Sequence, residues 1–278
     1  MSSDFLSEIL ARKREEIATF PAATIREEFR QRALQIRRNA TPHRLLTTLQ
    51  ATSPRLKIIA EFKRRSRSAG VIRAKAAPTD IAVAYERGGA YAISVLTDRE
   101  FFGGSIDDLI AARHATQLPI LRKDFIIDAV QLDEAAVAGA DAVILIVAAL
   151  DDASLGRLRA IAEDELGFDA LVEVHTSEEL DRALNANATL IGVNNRDLRT
   201  LKVSLETSER LITEVPRDKI AISESGLQSA ESLGHLLALG FRGFLIGEAL
   251  MRAVDPEKAL RGLIGKAEHL MSVTANQS

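Results

Sequence analysis

Short apolar runs recur along the chain and alternate with longer stretches in which apolar residues have helical spacing. Runs of four to six apolar residues with polar or glycine neighbours are typical of strands that are buried in a parallel sheet. The pattern predicts eight strands, at residues 58–63, 92–97, 120–123, 142–147, 170–174, 190–194, 219–224 and 243–247.

Helix start and stop signals lie between these runs. Ser105 and Thr176 each stand where a helix should begin, with an acidic residue three positions later. This spacing is typical of a capped helix N-terminus. Gly89, Gly139 and Gly240 each stand just before the next apolar run, where a glycine commonly ends a helix. The pattern therefore predicts repeated strand–helix units.

Eight such units favour one α/β fold, a (β/α)8 TIM barrel with an N-terminal helical extension. An open, doubly wound sheet is the competing fold for an alternating pattern. That fold usually carries a glycine-rich nucleotide loop after an early strand, and neither G-x-G-x-x-G nor G-x-x-x-x-G-K-[ST] occurs in this sequence. The number of units and the missing loop both favour the barrel.

The chain length suits one large domain. It has 278 residues, of which 46% are hydrophobic, and barrels of this size commonly fold as single units. We predict that residues 1–52 form a helical extension packed on the barrel, with helical segments at 4–20 and 25–36. Residues 53–270 would form the catalytic barrel, and residues 271–278 a tail.

Composition narrows the class of partner. The chain has 36 basic and 39 acidic residues and a net charge of −3, which argues against nucleic acid or an anionic membrane as the main partner. It contains no cysteine, so thiol catalysis and zinc–thiolate sites are excluded. No apolar run reaches the ~18 residues of a membrane span, and the charged N-terminus does not resemble a secretory signal. We expect a cytoplasmic protein that binds a small molecule.

Charged residues stand at the ends of the predicted strands. Lys63 and Lys123 end the first and third runs, while Glu61, Glu173 and Glu224 follow apolar residues in the first, fifth and seventh. Each residue taken singly could be a strand end wetted by loop solvent. Because a barrel gathers all its strand ends on one face, we instead expect these five to converge. Burial or a neighbouring cation could then lower a lysine pKa into the range of a general acid.

Two glycines follow the last two predicted strands. Ser225 and Gly226 come after the seventh strand, and Gly247 and Glu248 after the eighth. The loops at these positions form the phosphate site of many barrels, where glycine lets backbone N–H groups approach an anion. We therefore expect a phosphorylated ligand. The five histidines lack metal-ligand spacing, so neither a metal nor another cofactor is expected.

Six segments at the predicted strand ends carry a family resemblance. They are IAEFKRRSRSAG (59–70), PILRKDFIID (119–128), LVEVHT (171–176), IGVNNRDL (191–198), ISESGL (222–227) and FLIGEALM (244–251). Together they resemble one enzyme family, the indole-3-glycerol phosphate synthases. The resemblance extends over roughly residues 4–265, and among barrel enzymes LRKDFIID and GVNNRDL are specific to that family.

The resemblance implies a reaction. Ring closure of 1-(2-carboxyphenylamino)-1-deoxyribulose 5-phosphate would give indole-3-glycerol phosphate, carbon dioxide and water. Lys123 matches the general acid that protonates the substrate carbonyl oxygen, and Glu173 matches the acid/base carboxylate. Lys63 would bind the substrate carboxylate or serve as a second acid.

The resemblance also implies roles for the surrounding residues. Glu61 would hold and polarise the lysines, Asn194 would bind polar groups of the substrate, and Arg196 and Glu224 would complete a charged ring. The phosphate would be bound by Ser66, Ser225, Gly226, Gly247 and the amide of Glu248, and the aromatic ring would pack on Phe102, Phe125 and Ile144.

Two positions depart from the family pattern. Residues 66–70 read S-R-S-A-G, where the family commonly has S-P-S-K-G, so we expect a more flexible loop. Glu248 stands where many relatives have serine. A backbone N–H binds phosphate whatever the side chain, so we expect the Glu248 side chain to point away from the ligand.

Three other functions compete with this reaction. A phosphoribosylanthranilate isomerase would need a cysteine base, which this chain lacks. A lyase could form a Schiff base through Lys123. A non-catalytic binder of phosphorylated ligands would not need both lysines and Glu173. We also expect a monomer.

Overall fold

The strands of the barrel follow the predicted runs closely. A computed structural model describes residues 5–20, 23–53 and 55–275. Its barrel strands are β1 (Ile58–Phe62), β2 (Ala92–Leu96), β3 (Ile120–Lys123), β4 (Ala142–Ile146), β5 (Asp169–Val174), β6 (Leu190–Asn194), β7 (Ile220–Glu224) and β8 (Gly243–Ile246).

Parallel pairing closes these strands into a barrel. Within the described residues, each of the eight strands pairs with the next, and β8 pairs with β1, with Ile58 opposite Phe244. The predicted (β/α)8 fold is confirmed, and the open sheet is excluded. The predicted strand ends differ from the observed ones by at most one residue, because propensity does not fix where the last ladder hydrogen bond forms.

Helices connect the strands and cover the outside of the barrel. Ser105 and Thr176 accept hydrogen bonds from backbone N–H groups three residues later, so the predicted caps are confirmed. Gly89 and Gly139 end helices with φ of 95° and 88°, as the sequence predicts. The helices are α1 (Phe5–Ala18), α2 (Ala23–Arg38), α3 (Arg44–Gln50), α4 (Pro78–Gly88), α5 (Ile106–Ala115), α6 (Ala129–Ala138), α7 (Asp152–Ala160), α8 (Ser177–Asn185), α9 (Glu206–Leu211), α10 (Ala230–Leu239), α11 (Glu248–Arg252) and α12 (Pro256–Ala275).

Three helices precede the first strand. The apolar face of α1 includes Ile9, which is buried beside residues from the inside of the barrel. In α2, the Arg30 guanidinium lies 2.7 Å from a carboxylate oxygen of Asp133 on α6. The division at residue 52 stays a prediction. Residues 271–275 of the predicted tail are helical, because α12 continues to Ala275; the last three residues lie outside the described ranges.

The core has two parts that follow from strand geometry. Alternate strand residues face opposite sides of a sheet, so Val143 packs against the outer helices while Ile144 faces the barrel interior. Every residue of β4 is buried, as expected for a strand covered on both faces. None of the helices in the described part of the chain has the length and apolarity needed to cross a membrane.

Candidate active site

A cavity of about 360 Å³ lies at the carboxyl ends of the strands. This is the face at which barrel enzymes carry their active sites. All but one of the predicted site residues line it, namely Glu61, Lys63, Ser66, Phe102, Lys123, Phe125, Glu173, Asn194, Arg196, Glu224, Ser225, Gly226, Gly247 and Glu248.

The exception is Ile144, whose predicted place in the apolar wall is wrong. It points into the barrel but has no exposed surface, and it is not among the cavity-lining residues. Ile146, two residues closer to the carboxyl end of β4, lines the cavity instead. Because inward-facing residues alternate along a strand, the layers of Ile144 and Ile146 look alike in the sequence.

The floor of the cavity carries two lysines and three carboxylates. Lys123 Nζ lies 3.1 Å from Glu173 Oε2 and 3.4 Å from Glu224 Oε2. Lys63 Nζ lies 2.6 Å from Glu61 Oε1. The five charged groups, which the sequence places at the ends of four strands, therefore meet around one cavity, as predicted.

The protonation of this cluster differs from the sequence expectation for Lys123. Burial by itself lowers the pKa of Lys123, but the carboxylates of Glu173, Glu224 and Glu61 outweigh it and raise that pKa. The expected lowering was wrong because it considered desolvation and neighbouring cations without the nearby anions. Lys123 is thus held as an ammonium group at neutral pH.

The two carboxylates beside Lys123 have opposite tendencies. Burial favours the neutral form of each, but Lys123, His175 and a hydrogen bond from Asn194 lower the pKa of Glu173. For Glu224, burial and the nearby anions outweigh Lys123 and raise the pKa to about 7. Both Glu224 oxygens are buried and accept no well-formed hydrogen bond from the described residues. Glu173 is therefore the ionised carboxylate of the pair.

Asn194 is oriented from two sides. Its amide group hydrogen-bonds to Glu173, while its Oδ1 accepts a hydrogen bond of 3.0 Å from the backbone N–H of Arg196. The Arg196 guanidinium in turn donates to the carbonyl of Leu201 at 3.1 Å. Strand β6 and the loop after it thereby fix one side of the cavity.

The loop after β7 turns through two residues with left-handed backbone. Ser225 and Gly226 have φ of 67° and 76°, and both line the cavity. Asn195 donates a 3.1 Å hydrogen bond to the Ser225 carbonyl and fixes the turn. A Cβ atom on Gly226 would lie 2.5 Å from Val203 Cγ1, so glycine is required there.

The loop after β8 is equally crowded. A Cβ atom on Gly247 would lie 2.3 Å from Glu61 Oε1, so a side chain at this position would displace the partner of Lys63. Gly247 also directly precedes α11, as its N-cap residue. The Glu248 carboxylate accepts a 3.1 Å hydrogen bond from Arg252 Nε, which directs it along the helix; that it points away from the ligand stays a prediction.

Aromatic rings form one wall of the cavity. The rings of Phe102 and Phe125 have centroids 6.3 Å apart. Phe5 of α1 also lines the cavity, and the Arg67 guanidinium lies 4.4 Å from the centre of its ring. Arg67 further pairs with Glu8 at 3.0 Å. The arginine that distinguishes the loop at 66–70 therefore contacts α1; the expected greater flexibility of that loop stays a prediction.

Sequence reasoning missed several lining residues. Phe5 comes from α1, and Leu198, Leu201 and Val203 come from the loop after β6. The helical apolar spacing of the first residues indicated a buried face but not what that face covers. In the described part of the chain, no group of three or more acidic or histidine side chains is arranged to hold a metal ion.

Solved structures of other proteins share the fold. A thiamine phosphate pyrophosphorylase from Pyrococcus furiosus superposes with a TM-score of 0.58 and 20% sequence identity, covering 78% of this chain and 97% of its own. A mandelate oxidase variant gives a TM-score of 0.60 at 16% identity, covering 88% and 85%. At such low identity, these likenesses show the barrel alone.

Sequence comparison is more specific. The family model for indole-3-glycerol phosphate synthase matches residues 6–263. The indole-3-glycerol phosphate synthase of a Polaromonas species is 45% identical over 267 residues, which cover 95% of this chain and 99% of that protein. The enzyme of the same name from Aromatoleum aromaticum is 44% identical over 265 residues, covering 95% and 100%. The chain therefore belongs to the indole-3-glycerol phosphate synthase family, and it is an enzyme of the carboxy-lyase class.

Proposed function

We propose that the cavity closes the indole ring of 1-(2-carboxyphenylamino)-1-deoxyribulose 5-phosphate, releasing carbon dioxide and water. The observation that carries this proposal is the position of Lys123, whose ammonium group lies between Glu173 and Glu224 on the cavity floor. This substrate has an anionic group at each end and an aromatic ring. The cavity offers cations, glycine-bearing loops and phenylalanine rings for these parts.

Substrate binding divides the cavity into three regions. The backbone around Gly226 and Gly247, with Ser66, Ser225 and the amide of Glu248, binds the phosphate. Phe102 and Phe125 pack on the aromatic ring. Lys63 binds the substrate carboxylate, and its 2.6 Å contact with Glu61 fixes its direction.

Lys123 acts in the first chemical step. As the ring carbon that bears the carboxylate attacks the ketone, the new carbon–carbon bond places negative charge on the carbonyl oxygen. The Lys123 ammonium group donates a proton to that oxygen. Its neighbouring carboxylates keep it protonated, which supports this role and also argues against a Schiff base, since that requires a neutral amine.

The remaining steps restore the aromatic system. Loss of carbon dioxide returns the bonding electrons to the ring, and dehydration then removes the new hydroxyl group. Lys63, released from the carboxylate, donates the proton that the hydroxyl needs to leave as water. Glu173 is the ionised carboxylate that accepts the proton lost from the intermediate. Asn194 orients Glu173, while Arg196 and Glu224 complete the ring of charged groups.

Turnover with this substrate, followed by the growth of indole absorbance, tests the proposal. Lys123→Ala should lower kcat by several orders of magnitude and leave substrate affinity within about tenfold, because the group acts mainly in the transition state. Lys258→Ala, which removes a lysine with 83% side-chain exposure, is the matched control. Near-normal turnover of Lys123→Ala would refute the assignment.

The same assay separates the competing functions. A Schiff-base lyase would give a covalent adduct with substrate and borohydride, whereas a binder would bind the substrate without producing indole absorbance. We further propose that the protein is a cytoplasmic monomer. Light scattering of the purified protein and cell fractionation test those two points.

A further inference from the structure

A histidine that does not line the cavity contacts the carboxylate assigned as its base. His175 Nε2 lies 3.4 Å from Glu173 Oε1, while the other oxygen of Glu173 faces Lys123. Glu173 is therefore flanked by a cationic or potentially cationic group on each oxygen. Its side chain is only 1% exposed, so these neighbours set its environment.

The second ring nitrogen of His175 also faces a carboxylate. Nδ1 lies 3.0 Å from Glu179 Oε2. A neutral imidazole has one donor and one acceptor nitrogen, so in either tautomer one lone pair would point at a carboxylate. Only the imidazolium form presents an N–H group to both Glu173 and Glu179. Nε2 is buried and makes no well-formed hydrogen bond to the described residues, which leaves the contact with Glu173 as its interaction.

Glu179 is held firmly enough to orient the ring. Its Oε2 accepts a 2.7 Å hydrogen bond from the backbone N–H of His175. Its own backbone N–H donates to the Thr176 hydroxyl at the start of α8. The capped helix start that the sequence predicted thus fixes a carboxylate beside His175, and not only the end of the helix.

Charged groups on four elements surround this histidine. Glu173 on β5 and Glu179 on α8 contact it directly, and Glu224 on β7 attracts it from a greater distance. Lys123 on β3 lies on the far side of Glu173. Burial lowers the pKa of His175, but the three carboxylates outweigh it and raise that pKa. The protonated ring balances a cluster with more carboxylates than lysines.

We propose that His175 is a positioning residue for Glu173: oriented by Glu179, its imidazolium ring fixes the Glu173 carboxylate against Lys123 and keeps it ionised. The inference rests on the proposed role of Glu173 as the base. It adds a three-residue chain, Glu179, His175 and Glu173, that connects the start of α8 with the reacting groups. His175 itself need not touch the substrate.

The test is the pH profile of His175→Gln. Without the cation, the pKa of Glu173 rises, so the low-pH limb of kcat should move up by about one unit. Misplacement of the carboxylate should lower kcat by up to about a hundredfold, with KM within about twofold because the binding groups are unchanged. Glu179→Gln keeps an acceptor for the backbone N–H, removes the charge, and should move the limb in the same direction by less.

A second histidine–glutamate pair provides the control. His235 Nε2 lies 3.0 Å from Glu209 Oε1 on the surface, and His235→Gln should leave both kcat and the limb unchanged. An unshifted limb with normal kcat in His175→Gln would overturn the inference. If thermal melting shows that His175→Gln does not fold, Glu179→Gln decides the question. An unshifted low-pH limb of kcat in Glu179→Gln would then overturn the inference.

Glu173→Gln separates this inference from the function on which it depends. If Glu173→Gln keeps normal turnover, the proposed base is wrong and the role of His175 fails with it. If Glu173→Gln loses turnover while His175→Gln behaves like the unmodified enzyme, only the role of His175 fails. In the Glu173→Gln background, adding His175→Gln should cause no further loss, because both changes act on the same group.

Discussion

Lys13 is a buried cation that attaches α1 to the catalytic face of the barrel. Its side chain is 2% exposed, and Nζ lies 2.9 Å from Asp124 Oδ1 and 3.3 Å from Asp98 Oδ2. Asp124 directly follows Lys123 in the chain. We predict that Lys13→Met, which keeps most of the side-chain volume, destabilises the protein because it leaves two buried carboxylates without their shared cation.

The size of the effect follows from the pKa of Asp124. Burial raises this pKa, but Lys13 and Arg122 lower it, to about 2 from the ordinary value of 3.8. Such a shift corresponds to roughly 2–3 kcal/mol of stability. Removing one partner of a buried pair typically costs about 3–5 kcal/mol. We therefore expect the free energy of unfolding to fall by about 3 kcal/mol at pH 7.

The loss should depend on pH in a defined direction. In the unmodified protein, the lowered pKa of Asp124 gives stability that is present above the ordinary pKa and lost as the pH falls through about 2. Without Lys13, burial should raise the pKa of Asp124. The pKa of Asp98 is already raised by burial and should rise further, because Lys13 no longer opposes that effect. Both groups then take up protons more readily in the folded state, so the deficit should narrow between pH 7 and about 4.5.

Urea unfolding at both pH values measures this deficit. The midpoint should shift without a change in the slope of free energy against urea. Glu16→Gln is the control, because Glu16 is a 53% exposed partner of the same lysine and should cost less than about 1 kcal/mol. A deficit for Lys13→Met below about 1 kcal/mol at pH 7, or one that is equal at both pH values, would refute the reasoning.

Three further predictions concern the cavity itself. Gly247→Asp should raise KM by at least about tenfold and lower kcat, since it brings a carboxylate to the proposed phosphate site. Gly262→Asp is the control, because an added Cβ at Gly262 meets nothing within 4 Å. An unchanged KM in Gly247→Asp would mean that the phosphate binds elsewhere. The pKa of Glu224 is raised to about 7, so ionisation of this carboxyl group lowers the stability of the folded state as the pH rises. Glu224→Gln should therefore stabilise the protein more at about pH 8.5 than at about pH 5.5. Equal shifts of the urea midpoint at both pH values would contradict this. Phe102→Ala should raise KM more than it lowers kcat, because the ring lies beside Phe125 in the aromatic wall proposed to bind the substrate ring. A loss confined to kcat would contradict this prediction.

The sequence by itself determined the barrel and the strand ends at which the chemistry lies. The eight strands are buried on both faces, so each appears in the sequence as a short run of apolar residues that can be recognised without the structure. Lys123, Glu173 and Glu224 could be assigned to the carboxyl-end face of the barrel because parallel strands all point the same way. That assignment needs no knowledge of the distances between them. The same reasoning found the glycine-bearing loops after β7 and β8.

Only the tertiary structure decided the properties that depend on neighbours from distant parts of the chain. The direction of the Lys123 pKa shift depends on carboxylates from β1, β5 and β7, and those of β5 and β7 lie 3.1 and 3.4 Å from its ammonium nitrogen. Which layer of β4 reaches the cavity, Ile144 or Ile146, depends on how far the strands extend beyond the barrel interior. The contact of Lys13 with Asp124 joins residues 111 positions apart in the chain. Local patterns contain no such distances, because electrostatic and packing energies are set by where the folded chain brings these groups together.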